Sequence, residues 1–251
     1  MHLSGKHAFV TGGGTGIGRA IAKELVAQGA AVTITGRRTE VLEMAAKDIG
    51  ALPLALDVTD AQAVRNVVAD AIAQRGPVQI CIANAGIAEG KSLAKMDLAF
   101  WRKVMATNLD GAMLTIQACL PSMLDAGWGR VIGVSSIAGV RGLRGAPAYT
   151  ASKHGLIGLL RSLSEDHMGG PVTFNALCPG YVETNIVTNN MTDIAARTGM
   201  SEDEALGIMV RSNRHKRLIG PDEVAEAALW LCGPGSGSVN GQTIEIAGGQ
   251  V

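Results

Sequence analysis

Thr11-Gly12-Gly13-Gly14-Thr15-Gly16-Ile17-Gly18 is the stretch that decides how this chain folds. An apolar run, His7–Thr11, leads into it, and a segment with helical periodicity, Ile17–Gln28, leaves it. Glycines between a strand and a helix let the chain turn tightly, bring backbone close to a pyrophosphate and let the helix pack on the sheet. The start of that helix then offers unpaired N–H groups and the positive end of its dipole to phosphates. The spacing of Gly12, Gly16 and Gly18 is Gly-x-x-x-Gly-x-Gly, not the Gly-x-Gly-x-x-Gly of other dinucleotide folds. Glycine by itself says little in a chain that has 33 of them, and a purely structural turn is the alternative. The position between the first strand and the first helix favours phosphate binding.

Outward from this turn, strand-like and helix-like segments alternate. His7–Thr11, Ala31–Thr35, Leu52–Leu56, Val78–Ala83, Gly129–Ser135 and Val172–Cys178 read as strands, with Thr243–Ile246 as a short seventh. Ile17–Gln28, Thr39–Lys47, Ala61–Arg75, Phe100–Leu124 and Ala148–His167 carry helical patterning between them, and Pro221-Asp222-Glu223 opens a further helix. This alternation predicts an α/β, doubly wound (Rossmann-type) parallel sheet of seven strands flanked by helices. No linker or repeat divides the chain, so 1–251 is expected to form a single domain. The exception to regular patterning is 183–218, expected to be a substrate lid or a disordered insert. Arg211, Arg214, Lys216 and Arg217 crowd around His215 there, as a solvated face or an anion contact.

Composition agrees and excludes. The chain is 47% hydrophobic and 18% charged, enough for a substantial core, while only 3% aromatic content leaves that core to Ala, Val, Ile and Leu. Lysine plus arginine, 22, equals aspartate plus glutamate, 22. No charge imbalance therefore draws the protein to nucleic acid or to a membrane, and a small molecule is the expected partner. Cys81, Cys119, Cys178 and Cys232 lie in apolar stretches without zinc-site spacing, and the five histidines show no ligand spacing, so no metal is expected. Reduced core thiols, and a beginning without the charged start and apolar run of a signal peptide, make the cytoplasm the expected location.

Chemistry concentrates at strand ends. Asp57, after the third strand, can accept from an adenine amino group, with the Val58 N–H beside it; the alternative is a helix cap, for which Thr59 or Asp60 is better placed. Asn84-Ala85-Gly86 ends the fourth strand, where small residues permit close approach of a cofactor and Asn84 can tie strands together. Tyr149 and Lys153 are four apart at the start of a helix and so share a face, about 6 Å apart along its axis. A tyrosine titrates near 10, and a neighbouring ammonium lowers that value by stabilising the phenolate. The same ammonium can hold a ribose hydroxyl. Ser136, at the end of the fifth strand, can bind the oxygen undergoing carbonyl/alcohol exchange. A Tyr/Lys pair can also be surface decoration, yet the chain has only two tyrosines.

Taken together, Thr11–Gly18, Asn84-Ala85-Gly86, Ser136, Tyr149-Thr150-Ala151-Ser152-Lys153 and Pro179-Gly180 resemble, in order and spacing, the signature of the short-chain dehydrogenase/reductase family over essentially the whole chain. The resemblance implies NAD or NADP as cofactor and a homotetramer. It implies that Tyr149 is the acid/base, that Lys153 lowers its pKa and holds the ribose, and that Ser136 polarises the substrate oxygen. Asn108, in Thr107-Asn108-Leu109, would support a proton-relay water. Pro179, Gly180, Val182 and Thr184 resemble the part that covers the nicotinamide. The expected cofactor contacts are these with Gly12, Thr15, Gly16, Ile17, Gly18, Arg37, Asp57, Val58, Asn84, Ala85, Gly86, Tyr149 and Lys153. Ala83 stands where many relatives have a second asparagine.

The expected activity is reversible hydride transfer between NAD(P) and a ketone or secondary alcohol (CH–OH). The chain resembles reductases of 3-oxoacyl thioesters, polyketide ketoreductases and 3-hydroxybutyrate-type dehydrogenases, which points to a 3-oxoacyl thioester or related 3-keto/3-hydroxy compound; a neutral cyclic or polyketide ketone is the alternative. Arg141 and Arg144, between Ser136 and Tyr149, are candidates for an anionic substrate group or else for solvent or a subunit interface. NADP is favoured over NAD: Gly36 stands where an NAD enzyme would carry an acid, and the Arg37 guanidinium suits a 2′-phosphate. Thr15 tempers this, because its position is often basic in NADP-preferring relatives. A serine hydrolase is disfavoured because Val134-Ser135-Ser136-Ile137 lacks a Gly-x-Ser-x-Gly elbow. A non-catalytic dinucleotide sensor would need the turn but not the Ser136, Tyr149 and Lys153 set.

Overall fold

A computed structural model describes residues 2–184, 187–188, 191–192, 199–211 and 213–250. Seven strands, β1 (His7–Thr11), β2 (Ala31–Gly36), β3 (Leu52–Ala55), β4 (Val78–Ala83), β5 (Gly129–Val134), β6 (Val172–Pro179) and β7 (Thr243–Ile246), form one sheet in the order β3-β2-β1-β4-β5-β6-β7. All six neighbouring pairs are parallel. Around it lie α1 (Gly16–Ala27), α2 (Thr39–Ile49), α3 (Ala61–Arg75), α4 (Leu98–Met105), α5 (Gly111–Asp125), α6 (Pro147–Asp166), α7 (Glu202–Val210) and α8 (Pro221–Cys232). This is the doubly wound α/β fold that the alternation predicts.

Side chains of a strand point alternately to the two faces, which splits the core into two layers. Val10, Ile34, Ile80 and Ile82 face α1, α2 and α8, meeting Ile21, Leu25, Leu42 and Leu231. Phe9, Cys81, Val131 and Phe174 face α3, α5 and α6, meeting Val64, Ile116, Met123 and Leu156. β1, β4, β5 and β6 are buried at every position, so they read as continuous apolar runs. All four cysteines are buried free thiols. Among the described residues, no helix is long and apolar enough to cross a membrane.

The sheet order reverses direction at β1 and β4. Connections leave to opposite sides there, opening a crevice at the carboxyl ends of the strands. One expectation needs correction. The segment read as a single helix, Phe100–Leu124, is α4 and α5 joined by a π-helical turn over Ala106–Asp110. A π turn adds a residue without breaking the apolar pattern, so periodicity does not register it. Asp60 caps α3, its Oδ1 accepting from the N–H groups of Gln62 (2.9 Å) and Ala63 (3.0 Å). The segment 183–218 lies only partly within the described residues; its described part includes α7, whose Ser201 and Glu204 form a capping box.

Candidate active site

The glycine turn is built for close approach. Gly12 sits at φ +65° and Gly16 at +52°, a region that favours glycine. A Cβ on Gly18 would lie 2.4 Å from both the Gly12 carbonyl oxygen and Asn84 Nδ2, so only glycine lets α1 begin here. Asn84 latches the turn to β4: its Nδ2 donates to the carbonyls of Thr11 (2.8 Å) and Gly12 (3.2 Å), and the N–H groups of Asn84 and Ala85 both donate to Thr11 Oγ1 at 3.0 Å. Thr15, the residue before α1, makes no side-chain cap, and no acid sits in the first turn. The helix N-terminus thus keeps its N–H groups for an anion.

Beside the turn is a cavity of about 210 Å³, bounded among others by Gly12, Thr15, Gly36, Arg37, Asp57, Val58, Ala85 and Gly86. Arg38, Leu42 and Thr107 also border it, and of these no motif marked Leu42. Asp57 Oδ1 accepts from the Thr59 N–H (3.0 Å) and hydroxyl (2.8 Å). Those bonds hold its carboxyl below the usual carboxylate range, with help from the Arg37 charge.

Gly86 and Ile87 border both this space and a larger cavity of about 430 Å³. Ser136, Tyr149 and Lys153 line it together, as do Ile17, Asn84, Pro179, Gly180, Val182 and Thr184. β5 ends at Val134 and delivers Ser136, whose Oγ accepts from the Ala138 N–H (3.1 Å). Pro147 opens α6, placing Tyr149 in its first turn and Lys153 one turn on. Lys153 is 5% exposed; its Nζ donates to the Val134 carbonyl (2.8 Å) and lies 5.8 Å from the centre of the Tyr149 ring. Burial brings the Lys153 ammonium down to about 8. Burial also pushes the Tyr149 phenol above its ordinary value, while the Ser136 hydroxyl pulls it partly back. Desolvation is the larger influence on the phenol in this arrangement, in which the Lys153 ammonium donates to a carbonyl.

The π turn places Asn108, 1% exposed, behind this centre. Its Oδ1 accepts from the Ile87 N–H (2.8 Å), and its Nδ2 donates to the Ile87 carbonyl (2.9 Å) and Ser152 Oγ (3.0 Å). Both amide hydrogens are thereby committed to protein. The two candidate arginines separate: Arg144 borders the larger cavity, whereas Arg141 borders neither, and its Nε is buried without a hydrogen-bond partner among the described residues. Arg217 pairs with Glu223 through two contacts, 2.6 and 3.1 Å, and Lys216 Nζ donates to the Arg211 carbonyl. Glu89, Leu143, Tyr181, Val187 and Met209 also border the larger cavity; each arrives from a loop or distant helix with no local signal.

The model of the short chain dehydrogenase family matches residues 6–195. The chain belongs to the short chain dehydrogenase family. It is 36% identical to Nodulation protein G of Azospirillum brasilense over 98% of both chains. With the 3-oxoacyl-[acyl-carrier-protein] reductase of Salmonella typhimurium it shares 33% identity, over 99% of this chain and 98% of the other. Its fold superposes on a crystal structure of an actinorhodin polyketide ketoreductase variant with NADPH at a TM-score of 0.95, with 31% identity, covering 100% of this chain and 98% of that one. This short chain dehydrogenase is an NAD(P)-dependent oxidoreductase acting on a ketone or secondary alcohol. Its residues fit the dinucleotide: Gly18 lets α1 start directly against the Gly12 turn that borders the cavity, and the α1 N-terminus there carries neither cap nor acid.

Proposed function

We propose that this enzyme is an NADP-preferring reductase of a 3-oxoacyl thioester or related 3-keto/3-hydroxy compound. The observation that carries the reading is the meeting of Ser136, Tyr149 and Lys153 on one cavity that shares Gly86 and Ile87 with the glycine-turn crevice. Gly12, Thr15, Gly16, Ile17 and Gly18 would hold the pyrophosphate side of the cofactor. Arg37 would meet the 2′-phosphate, Asp57, Val58, Asn84, Ala85 and Gly86 the adenosine and adjoining ribose, and Pro179, Gly180, Val182 and Thr184 the nicotinamide. When bound, the cofactor supplies hydride to the carbonyl carbon or takes it back from the alcohol.

The protein's part is positioning and proton transfer. Ser136 donates a hydrogen bond to the carbonyl oxygen, which sharpens as negative charge grows there. Tyr149 gives its O–H proton to that oxygen as the carbon becomes tetrahedral. A phenol held above its ordinary value is protonated at neutral pH, which suits donation in the reductive direction. Lys153, from its anchor on Val134, holds ribose hydroxyls and keeps positive charge beside the phenol. Asn108 fixes the Ile87 backbone at the cavity edge, and with it the site of a proton-relay water. Arg144, exposed at the rim, meets an acidic or phosphate group on the substrate, and the names of two relatives support the 3-oxoacyl and polyketide ketone class. The cytoplasm is the proposed location, the homotetramer the proposed assembly, and 183–218 the proposed cover, with Val187 and Met209 as its contacts to the cavity.

A panel of 3-oxoacyl-CoA esters, free 3-keto acids and neutral cyclic ketones, run with NADPH and NADH, tests this reading. The thioesters should have the highest kcat/KM, NADPH should be preferred, and Tyr149→Phe should depress turnover by about 10²–10⁴-fold while nucleotide still binds. Near-normal turnover in Tyr149→Phe would sink the acid/base assignment.

A further inference from the structure

The segment after β7 runs from Gly180, at the wall of the cavity, to the end of α7. The Gly180 N–H donates to the Ile246 carbonyl (2.9 Å), and a Cβ on Gly180 would lie 3.3 Å from Ala247 Cα. The chain then turns at Gly248 and Gly249, φ +60° and +81°, where the Gly248 carbonyl accepts from the Arg214 N–H at 2.6 Å. This delivers Gln250, 8% exposed, to the end of α7. A buried amide requires partners. Gln250 Nε2 donates to the Met209 carbonyl (3.3 Å) and to Asn213 Oδ1. Asn213, fully buried, passes the contact on, its Nδ2 donating to the Arg217 carbonyl (2.7 Å). Gln250 Oε1 has no partner among the described residues, so the nitrogen end alone anchors the side chain.

The last four carbonyls of a helix have no partner within it. Met209 is the penultimate residue of α7, so Gln250 supplies from 41 residues away a donor that the helix lacks. Met209 also borders the large cavity and packs with Val187, Val210 and Tyr181. We propose that Gln250 is a positioning residue for substrate selection: by capping α7 it fixes Met209, and so sets the size of the group a carbonyl substrate can carry against that wall. The proposal rests on the reading of the larger cavity as the carbonyl site.

Two variants separate hydrogen bonding from packing. Gln250→Met keeps the volume and removes both donated bonds, whereas Gln250→Ala removes volume as well. Hydrogen exchange across α7 and kcat/KM for a short and a long 3-oxoacyl ester are measured on the full chain. In both variants, amides of α7 should exchange roughly fivefold faster or more, with β1 and α6 protected as before. The long-to-short ratio of kcat/KM should move by roughly three- to tenfold through substrate KM, leaving cofactor KM unchanged. Wild-type protection of α7 in Gln250→Met, or faster exchange with an unmoved ratio, overturns the proposal. A wild type that reduces no ketone instead overturns the reading of the cavity and the selection claim with it, while the exchange arm still reports on the cap.

Discussion

Single side chains decide cofactor choice and the electrostatics of the centre. A Cβ on Gly36 would meet only Leu42 Cδ1, at 3.7 Å, so the backbone there accommodates a side chain and Gly36→Asp brings its charge to the rim of the crevice. A charge-assisted hydrogen bond contributes about 1.5–3 kcal/mol, so Arg37→Ala should weaken NADP binding roughly ten- to a hundredfold and leave NAD nearly unchanged. Gly36→Asp should move the ratio the same way. The check is kcat/KM with both cofactors; a wild type that prefers NAD, with Arg37→Ala shifting neither ratio, would remove the phosphate role. Lys153 gives a second prediction, with a sign that can be worked out. Free lysine titrates near 10.4 and Lys153 at about 8, so between those values the unfolded chain holds the extra proton and stability rises with pH. Below about 8 the buried ammonium costs the fold its full penalty, on the order of 3 kcal/mol. Lys153→Met loses the bond to Val134 yet should raise Tm at pH 7 by roughly 4–8 °C. It should abolish turnover, and its advantage in Tm should shrink toward pH 10. An equal advantage at both pH values would show that the buried charge is not its source.

The elements show where local sequence speaks and where it is silent. Strand bounds follow the sequence reading to within a residue, because four of the seven strands are buried at every position and are therefore dominated by apolar residues. Ser136, Tyr149 and Lys153 were legible because one strand end and one helical turn relate them. The π turn was not, and it matters: it aims Asn108 at Ile87 rather than along an α-helical face. Arg141 and Arg144 were indistinguishable in sequence because an irregular turn has no period to say which faces the cavity. The α7–Gln250 contact was equally invisible, being formed only when distant segments pack. Asn108→Ala strips partners from the Ile87 N–H and carbonyl, groups at the edge of the cavity. It should cost about 1–3 kcal/mol in urea unfolding at unchanged m-value, and lower kcat as the Ile87 edge loosens. Unchanged stability with a large fall in kcat would instead mean that Asn108 acts on the proton path and not through the Ile87 backbone.

At the scale of the whole molecule the sheet has two edges, and they are unlike. β3, Leu52–Ala55, is four residues with Pro53 within it, and proline withholds an N–H from any would-be neighbour. β7, Thr243–Ile246, has no such guard, and α8 beside it leaves Trp230 49% exposed. An open edge next to a large exposed aromatic is a surface suited to a second copy about a two-fold axis, and a net charge of zero sets up no long-range repulsion against it. In the proposed homotetramer, one interface is therefore expected to join β7 and α8 of two chains. Trp230→Glu puts a charge into the centre of that contact and should cost more than about 2 kcal/mol per interface. Light scattering should then report a mass falling from four chains to two. The segment carrying Gln250 leaves directly from β7, so a loosened edge should also loosen the cap on α7. Trp230→Glu should accordingly change the long-to-short ester preference in the same direction as Gln250→Ala while leaving the kcat of the short ester within about twofold. An unchanged mass at micromolar concentration would place the assembly on another face, and a dimer with unaltered preference would separate assembly from substrate selection.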